Sequence, residues 1–198
     1  MISGCGKMKI IGVTGGSGVG KTTVCAELKK CGAEIIDADK ISKEITRKGS
    51  LALAEIAEAF GNEFILPSGE LDRKSLGEMV FLDEKSLELL NKITHKHIFA
   101  EMEKQIKKAT AEVVVLDVPL LFGTDFPFSC DLTVAVIADR EERIRRIVAR
   151  DGITREMAEA RIKNQMSNDE YREWADVCFE NDGNIEKIRV FAKEICKN

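Results

Sequence analysis

The chain has 198 residues, of which 44% are hydrophobic and 32% charged, and its formal net charge is −4. This balance is typical of a globular domain large enough to bury a substantial core. The negative net charge gives no electrostatic support to general nucleic-acid binding, and no apolar run approaches the ~18 residues that a membrane-spanning helix needs. The sequence therefore predicts no nucleic-acid partner and no membrane partner.

Cysteine usage and the first residues support further expectations. None of the six cysteines forms a C-x-x-C pair or a metal-ligand spacing, which favours reduced thiols in a cytoplasmic protein. Residues 1–7 are expected to form a disordered leader, with the fold beginning near Met8. We expect a monomer or a weak homo-oligomer.

A glycine-rich segment follows the first predicted strand, Lys9–Thr14, and precedes a predicted helix over 22–30. Residues 15–22 read G-G-S-G-V-G-K-T, which matches G-x-x-x-x-G-K-[ST] at every fixed position. Its glycines allow positive φ and bring successive N–H groups close to a polyphosphate. Lys21 is expected to reach the β- and γ-phosphates and the Thr22 hydroxyl to ligate Mg²⁺. The alternative is a glycine-rich turn with a solvated lysine.

Two aspartates follow the second predicted strand, Glu34–Asp37. Asp37 and Asp39 stand at its carboxyl end, the edge that faces the ligand crevice in open α/β sheets. On an extended segment, side chains two residues apart point the same way and can share one polar site. Asp39 could then accept a proton from an attacking hydroxyl, while Asp37 positions metal-bound water. The alternative is an Asx turn in which Asp39 caps the next helix.

Helical periodicity dominates the middle of the chain. It predicts helices over 40–47, 50–60, 72–80 and 86–108, with Gly61 ending the second of them. His95 and His97 are alternate residues, which a helix turns to different faces. His95 is a candidate for a substrate contact, against the alternative of an ordinary surface histidine.

Three further apolar runs complete a predicted sheet, at Val113–Asp117, Leu132–Ile137 and 175–179. Asp139 is predicted to cap a helix, with Glu142 three positions on, and further helices are predicted over 154–165 and over Ile185–Lys197. Strands alternating with helices predict a parallel sheet with right-handed crossovers, and hence one α/β core. Asp117 ends a buried strand, where a carboxylate commonly helps to hold Mg²⁺; capping of the next turn is the alternative.

An arginine-rich stretch follows the fourth strand, with arginines at 140, 143, 145, 146, 150, 155 and 161. Arg143, Arg146 and Arg150 are spaced i, i+3, i+7 and share one helical face. Guanidinium forks suit phosphate oxygens, and a mobile segment carrying them can close over a transferring phosphoryl group. The alternative is a solvated helix paired with neighbouring glutamates.

Taken together, these motifs resemble the dephospho-coenzyme A kinase family from Met8 to the final helix. The matching segments are 12–23, 36–39, 60–61, 69–73, 90–95, 119–122, 146–152, Gln165, 175–176, Asn181 and Gly183. The phosphate-binding loop is shared by many enzymes. Its combination with D-A-D, L-N-x-x-x-H and P-L-L-F is far more specific.

The resemblance implies ATP-dependent phosphorylation of the ribose 3′-hydroxyl of dephospho-CoA, with Mg²⁺. It implies a three-layer α/β/α P-loop fold with a nucleotide core (about 8–40, 111–139 and 175–198), a helical CoA-binding insertion (about 41–110) and a lid (about 140–165). Four residues are assigned to catalysis: Lys21, Asp39, Arg146 and Arg150. The residues assigned to ATP are Gly15, Gly16, Ser17, Gly18, Val19, Gly20, Lys21, Thr22, Thr23, Asn181 and Gly183. Those assigned to the acceptor are Asp37, Asp39, Arg73, His95 and Leu120, and those assigned to the metal are Thr22 and Asp117.

Three positions depart from the family pattern. Gly123 stands where an acidic residue is common, Lys96 where proline is common, and Arg143 where glutamine is usual. These departures concern local contacts rather than the reaction. Two other functions stay open: another P-loop small-molecule kinase, and a P-loop regulatory ATPase. A GTPase switch would carry N-K-x-D, whereas residues 91–94 read N-K-I-T.

Overall fold

The computed structural model describes residues 8–123 and 125–197, so the prediction for residues 1–7 lies outside the described residues. The strands are β1 (Lys9–Thr14), β2 (Glu34–Asp37), β3 (Val113–Asp117), β4 (Leu132–Ile137) and β5 (Val177–Glu180). The helices are α1 (Lys21–Lys30), α2 (Ala38–Ile45), α3 (Leu51–Phe60), α4 (Arg73–Phe81), α5 (Glu84–Lys108), α6 (Arg140–Asp151), α7 (Arg155–Lys163), α8 (Asn168–Trp174) and α9 (Ile185–Lys197). A 3₁₀ turn, Asn62–Phe64, lies between α3 and α4.

The five strands form one sheet in the order β2-β3-β1-β4-β5. β1 pairs in parallel with both β3 and β4, and β4 pairs in parallel with β5. The predicted α/β fold with a parallel sheet is confirmed. The register places Asp117 of β3 beside Val13 of β1, immediately before the glycine-rich segment begins. The parallel pairing therefore brings a strand-end carboxylate to the same sheet edge as that segment.

Side chains of the central strands alternate between two apolar layers. Val134 and Val136 of β4 pack in the cluster that includes residues of α1 and α9. Ala135 and Ile137, on the opposite face of the same strand, pack with Tyr171 of α8. This two-residue period is what a strand buried on both faces requires, and it produces a sheet between two helical layers.

Two predicted elements have boundaries that are wrong by a few residues, and one short helix is not predicted. The helix predicted over 154–165 ends at Lys163, and the last strand is Val177–Glu180 rather than 175–179. The short helix α8 was not predicted, because its seven residues are mostly polar and show no apolar period. A capping box between Ser167 and Glu170 starts this helix, and the buried Tyr171 anchors it.

The chain separates into two compact units, one formed by the residues up to Ile36 and from Ala109 onward, the other by Asp37–Lys108. The second unit is helical and has its own core, centred on Ile56, Leu76 and Val80. None of the helices in the described ranges is long and apolar enough to cross a membrane.

Candidate active site

The glycine-rich segment between β1 and α1 forms a loop that needs its glycines. Gly18 and Gly20 have φ of 79° and 88°, in the left-handed region that other residues rarely adopt. A Cβ on Gly20 would lie 2.2 Å from Nδ2 of Asn181. Gly20 is also the N-cap of α1 and has no side chain to cap the helix. The first N–H groups of this helix are therefore available to bind an anion at the loop.

Side chains from outside the loop bind its carbonyl oxygens. Arg143 Nε donates to the Ser17 carbonyl at 3.0 Å, and Arg146 Nη1 lies 3.3 Å from the carbonyl oxygens of both Gly18 and Val19. Asn181, which is buried, donates from Nδ2 to the Val19 carbonyl at 2.7 Å. In a trans peptide the C=O and the following N–H point in opposite directions. Holding these three carbonyls therefore turns the N–H groups of residues 18–20 to the other side of the loop, as an anion-binding loop requires.

Gln165 completes this support from the end of α7. Its Oε1 accepts from the Ser17 N–H at 2.9 Å and from Arg143 Nη2 at 2.7 Å. Its Nε2 donates to the Ser17 hydroxyl at 2.9 Å. The backbone and the side chain of Ser17 are thus both held by a residue 148 positions away in the chain.

Lys21 and Asp117 form an ion pair at the start of α1. Their side chains are only 14% and 9% exposed, so the pair is largely shielded from water. The Asp117 carboxylate, to which the sequence assigns a magnesium role, thus contacts the lysine of the loop. A phosphate bound at the loop would compete with Asp117 for the lysine.

The arginines of α6 differ sharply in their surroundings. Asp139 caps the helix by accepting from the N–H groups of Glu141 and Glu142. Arg143 and Arg146 reach the loop, whereas Arg150 pairs with Asp151 at 2.7 Å and has a side chain 60% exposed. Of the three arginines predicted to share one face, the structure brings two to the loop.

Carboxylates near these arginines are held in their ionised form. Hydrogen bonds from Arg145, and next from Arg146, lower the pKa of Glu142 to about 2. Hydrogen bonds from Arg150 and Arg161 lower the pKa of Asp151 to about 2. Burial lowers the pKa of the Arg143 guanidinium, which remains charged because arginine does not deprotonate in proteins.

The predicted geometry of the aspartate pair is wrong. Asp37 is the N-cap of α2 and accepts from the Lys40 N–H at 2.9 Å, and Asp39 lies inside the first helical turn. Helix begins directly after the strand because the Asp37 carboxylate satisfies an N–H that would otherwise lack a partner. The two carboxylates therefore do not lie on one extended segment, and the cap is Asp37 rather than Asp39.

Other residues assigned to the acceptor have well-defined contacts within their own units. In the second unit, Arg73 donates to the Ser42 carbonyl at 3.1 Å and to the Thr46 hydroxyl, which joins α4 to α2. The His95 ring lies against Phe99 in a tilted arrangement, with ring centroids 5.3 Å apart. Leu120, in the first unit after β3, is 66% exposed.

Sequence reasoning missed most of the support behind the loop. Gln165 received no role, and Asn181 and Gly183 were assigned to ATP through the resemblance alone. In the structure Asn181 binds the loop and accepts at Oδ1 from the Gly183 N–H at 3.0 Å. The contacts of Gln165 and Asn181 with the loop join residues 148 and 162 positions apart, and no local spacing signals them. A Cβ on Gly16 would lie 2.4 Å from Arg143 Nη2, but that close approach is visible only in three dimensions.

The parallel sheet, the phosphate-binding loop after β1 and the arginine-bearing helix beside it define a P-loop kinase of the α/β class. The family model described as dephospho-CoA kinase matches residues 9–187, and the chain belongs to this family. It is 42% identical over 188 residues to a dephospho-CoA kinase of Fusobacterium nucleatum, a match that covers 95% of this chain and 97% of the relative.

Two solved structures resemble the whole chain. One, from Thermus thermophilus, is 32% identical with a TM-score of 0.85 and covers 96% of this chain and 98% of its own. The other, the dephospho-CoA kinase from Campylobacter jejuni, is 25% identical with a TM-score of 0.60 and covers 96% of both chains. The similarity therefore extends over the sheet, the helical second unit and the arginine-bearing helices together.

Proposed function

We propose that this chain transfers the γ-phosphoryl group of ATP to the ribose 3′-hydroxyl of dephospho-CoA, giving CoA and ADP in the final step of coenzyme A biosynthesis. The observation that carries the proposal is a complete phosphate-binding loop, with Lys21 poised against Asp117, in a member of the dephospho-CoA kinase family. The loop accounts for the polyphosphate donor, and family membership accounts for the acceptor.

On the donor side, the loop binds the phosphates of ATP through N–H groups and Lys21. The carbonyl contacts of Arg146 and Asn181 support this role, because they direct the N–H groups toward one side. Lys21 exchanges Asp117 for the β- and γ-phosphate oxygens, where negative charge concentrates. Arg150 exchanges Asp151 for a phosphate oxygen when the lid residues 140–165 close over ATP.

On the acceptor side, Asp39 orients the 3′-hydroxyl and takes its proton. Asp37 holds the helical turn that carries Asp39, since its side chain caps α2. Arg73, His95 and Leu120 contact dephospho-CoA, the first two from the helical insertion at residues 41–110. Phosphoryl transfer passes through a loose transition state, so orientation of the hydroxyl matters more than the basicity of Asp39.

The donor atoms at the loop fit Mg²⁺. Thr22 offers a hydroxyl and Asp117 a carboxylate, and Mg²⁺ prefers oxygen ligands, with one or two carboxylates beside substrate phosphates and water. Within the described ranges no group of three or more His, Cys, Asp or Glu side chains could hold a metal. Bound beside ATP, Mg²⁺ would neutralise charge on the phosphates.

Further parts of the proposal concern the cellular location, the oligomeric state and the nucleotide core of the enzyme. We expect the reaction in the cytoplasm, by a monomer or a weak homo-oligomer that needs no nucleic acid. The nucleotide core comprises about 8–40, 111–139 and 175–198. Sedimentation velocity over a tenfold concentration range tests the oligomeric state directly.

A coupled ADP-release assay tests the proposed reaction. Dephospho-CoA, AMP, a nucleoside and no acceptor are compared at equal concentration. We expect rapid ADP release with dephospho-CoA and slow release with AMP, with the nucleoside and without an acceptor. Faster release with AMP or the nucleoside would indicate another small-molecule kinase, and release without an acceptor would indicate a regulatory ATPase.

A further inference from the structure

We infer that Arg143 is a positioning residue whose buried positive charge is balanced by the polyphosphate that the loop binds. Arg143 is 4% exposed, whereas the side chains of Arg145 and Arg150 on the same helix are 74% and 60% exposed. Its guanidinium donates to the Ser17 carbonyl at 3.0 Å and to Gln165 Oε1 at 2.7 Å. Both acceptors are neutral, so neither cancels the charge.

The absence of a counter-ion distinguishes Arg143 from its neighbours. Arg145 and Arg146 bind Glu142, and Arg150 binds Asp151. In the part of the chain that the structure describes, no carboxylate lies within 4 Å of the Arg143 guanidinium. A buried charge without a partner destabilises the folded state. Its retention at this position points to a ligand that supplies the opposite charge.

The position of Arg143 identifies that ligand. A Cβ on Gly16 would lie 2.4 Å from its Nη2, and a Cβ on Gly18 would lie 2.6 Å from its carbonyl oxygen. The residue is therefore packed against the outer side of the loop over residues 16–18. Charges interact strongly through a water-excluded interior, so an anion cradled on the inner side of the loop feels this guanidinium without touching it.

The same contacts admit a second explanation, in which Arg143 serves only to hold the loop and Gln165 together by hydrogen bonds and its charge has no role. The two explanations predict opposite effects of substitution. Arg143→Gln retains a donor for the Ser17 carbonyl but loses the charge. Arg143→Lys retains the charge but loses the planar fork.

The inference rests on the proposed function only in requiring that the loop binds polyphosphate. Inorganic tripolyphosphate and ATP are titrated calorimetrically into the wild-type chain, Arg143→Gln and Arg143→Lys. Arg145→Gln, whose side chain is 74% exposed and paired, is the matched control for lost charge. Thermal unfolding of each protein is measured without ligand, so that stability and binding are separated.

If the charge is balanced by polyphosphate, Arg143→Gln weakens tripolyphosphate and ATP binding at least about tenfold, the size of one charge-assisted interaction. Without ligand it melts at the wild-type temperature or higher, because an unpaired buried charge has gone. Arg143→Lys binds within about threefold of wild type, and Arg145→Gln is unchanged.

Unchanged binding by Arg143→Gln together with a lower melting temperature would show a clamp and overturn the inference. So would a glutamine variant that fails to fold while the lysine variant folds. No acceptor is present in these titrations. A chain that passes them but does not phosphorylate dephospho-CoA overturns the proposed function alone.

Discussion

Lys21 shows how a single residue joins stability to function at this site. Lys21→Ala removes the cation expected at the transferring phosphate, which commonly amounts to about 3 kcal/mol or more in the transition state. It also leaves the shielded Asp117 carboxylate without its cation, so we expect a loss of stability of about 2 kcal/mol. Steady-state kinetics and urea unfolding measure the two effects. Lys29→Ala, an exposed change on the same helix, should alter neither.

An outcome in which Lys21→Ala keeps near-normal turnover and ATP affinity would mean that the loop is not the reaction centre. A loss of stability without a loss of activity would have the same meaning, because it would reduce the ion pair to a structural contact.

Substitutions of Asp39 and Asp37 distinguish a role in the reaction from a role in capping a helix. Asp39→Asn keeps the shape of the side chain but cannot take the proton, so turnover should fall by ~10² to 10⁴ while both ligands still bind. Asp37→Asn keeps a good N-cap and should leave the stability within about 0.5 kcal/mol. Calorimetry of ATP and dephospho-CoA beside steady-state rates makes the comparison. If binding collapses together with turnover in Asp39→Asn, Asp39 holds ligand or structure instead.

At the scale of the element, α6 acts as a support for the loop rather than as a row of equivalent charges. Arg145 and Arg146 both bind Glu142, but Arg146 also donates toward two loop carbonyls and the Asn181 carbonyl. We expect Arg146→Ala to lower ATP affinity and turnover at least tenfold, and stability by about 1 kcal/mol. Arg145→Ala should stay within about 0.5 kcal/mol and keep its activity. Equal responses in both variants would favour an ordinary salt-bridged helix.

The Glu142 carboxylate gives α6 a defined acid sensitivity. Its folded pKa of about 2 lies below the model-peptide value of 4.5, so the folded state favours the ionised form. The resulting stabilisation is fully present above pH 4.5 and is lost as the pH falls toward 2. The wild type should therefore have a higher free energy of unfolding than Glu142→Gln at neutral pH, and this difference should shrink as the pH falls below 4.5. Urea unfolding at intervals from pH 7 to about pH 3 measures it, and a constant difference would contradict this assignment.

At the scale of the whole molecule, the features that the sequence predicts correctly are those that depend on residues close together in the chain. The loop was identifiable because its residue types have fixed spacing, and the central strands because buried parallel strands are continuous apolar runs. The cap at Asp139 was identifiable for the same reason, since capping depends on neighbouring residues. By contrast, the contacts of Gln165 and Asn181 with the loop join distant segments, and they arise only when α7 packs against α6 and β5 pairs with β4. The Asp37–Asp39 geometry was mispredicted because the strand ends at Asp37 and the helix begins at the next residue, a boundary that the alternating aspartates do not reveal.

The central claim is transfer of phosphate from ATP to dephospho-CoA, and the most direct measurement follows the phosphate itself. ATP labelled with ¹⁸O in its γ-phosphoryl group is incubated with dephospho-CoA and the wild-type chain, and the products are analysed by mass spectrometry and ³¹P NMR. We predict one labelled phosphate on the ribose 3′-oxygen of CoA for each ADP formed, and label transfer at least about a hundredfold slower with Lys21→Ala. Label in inorganic phosphate instead of CoA, or at another position of the acceptor, would contradict the account.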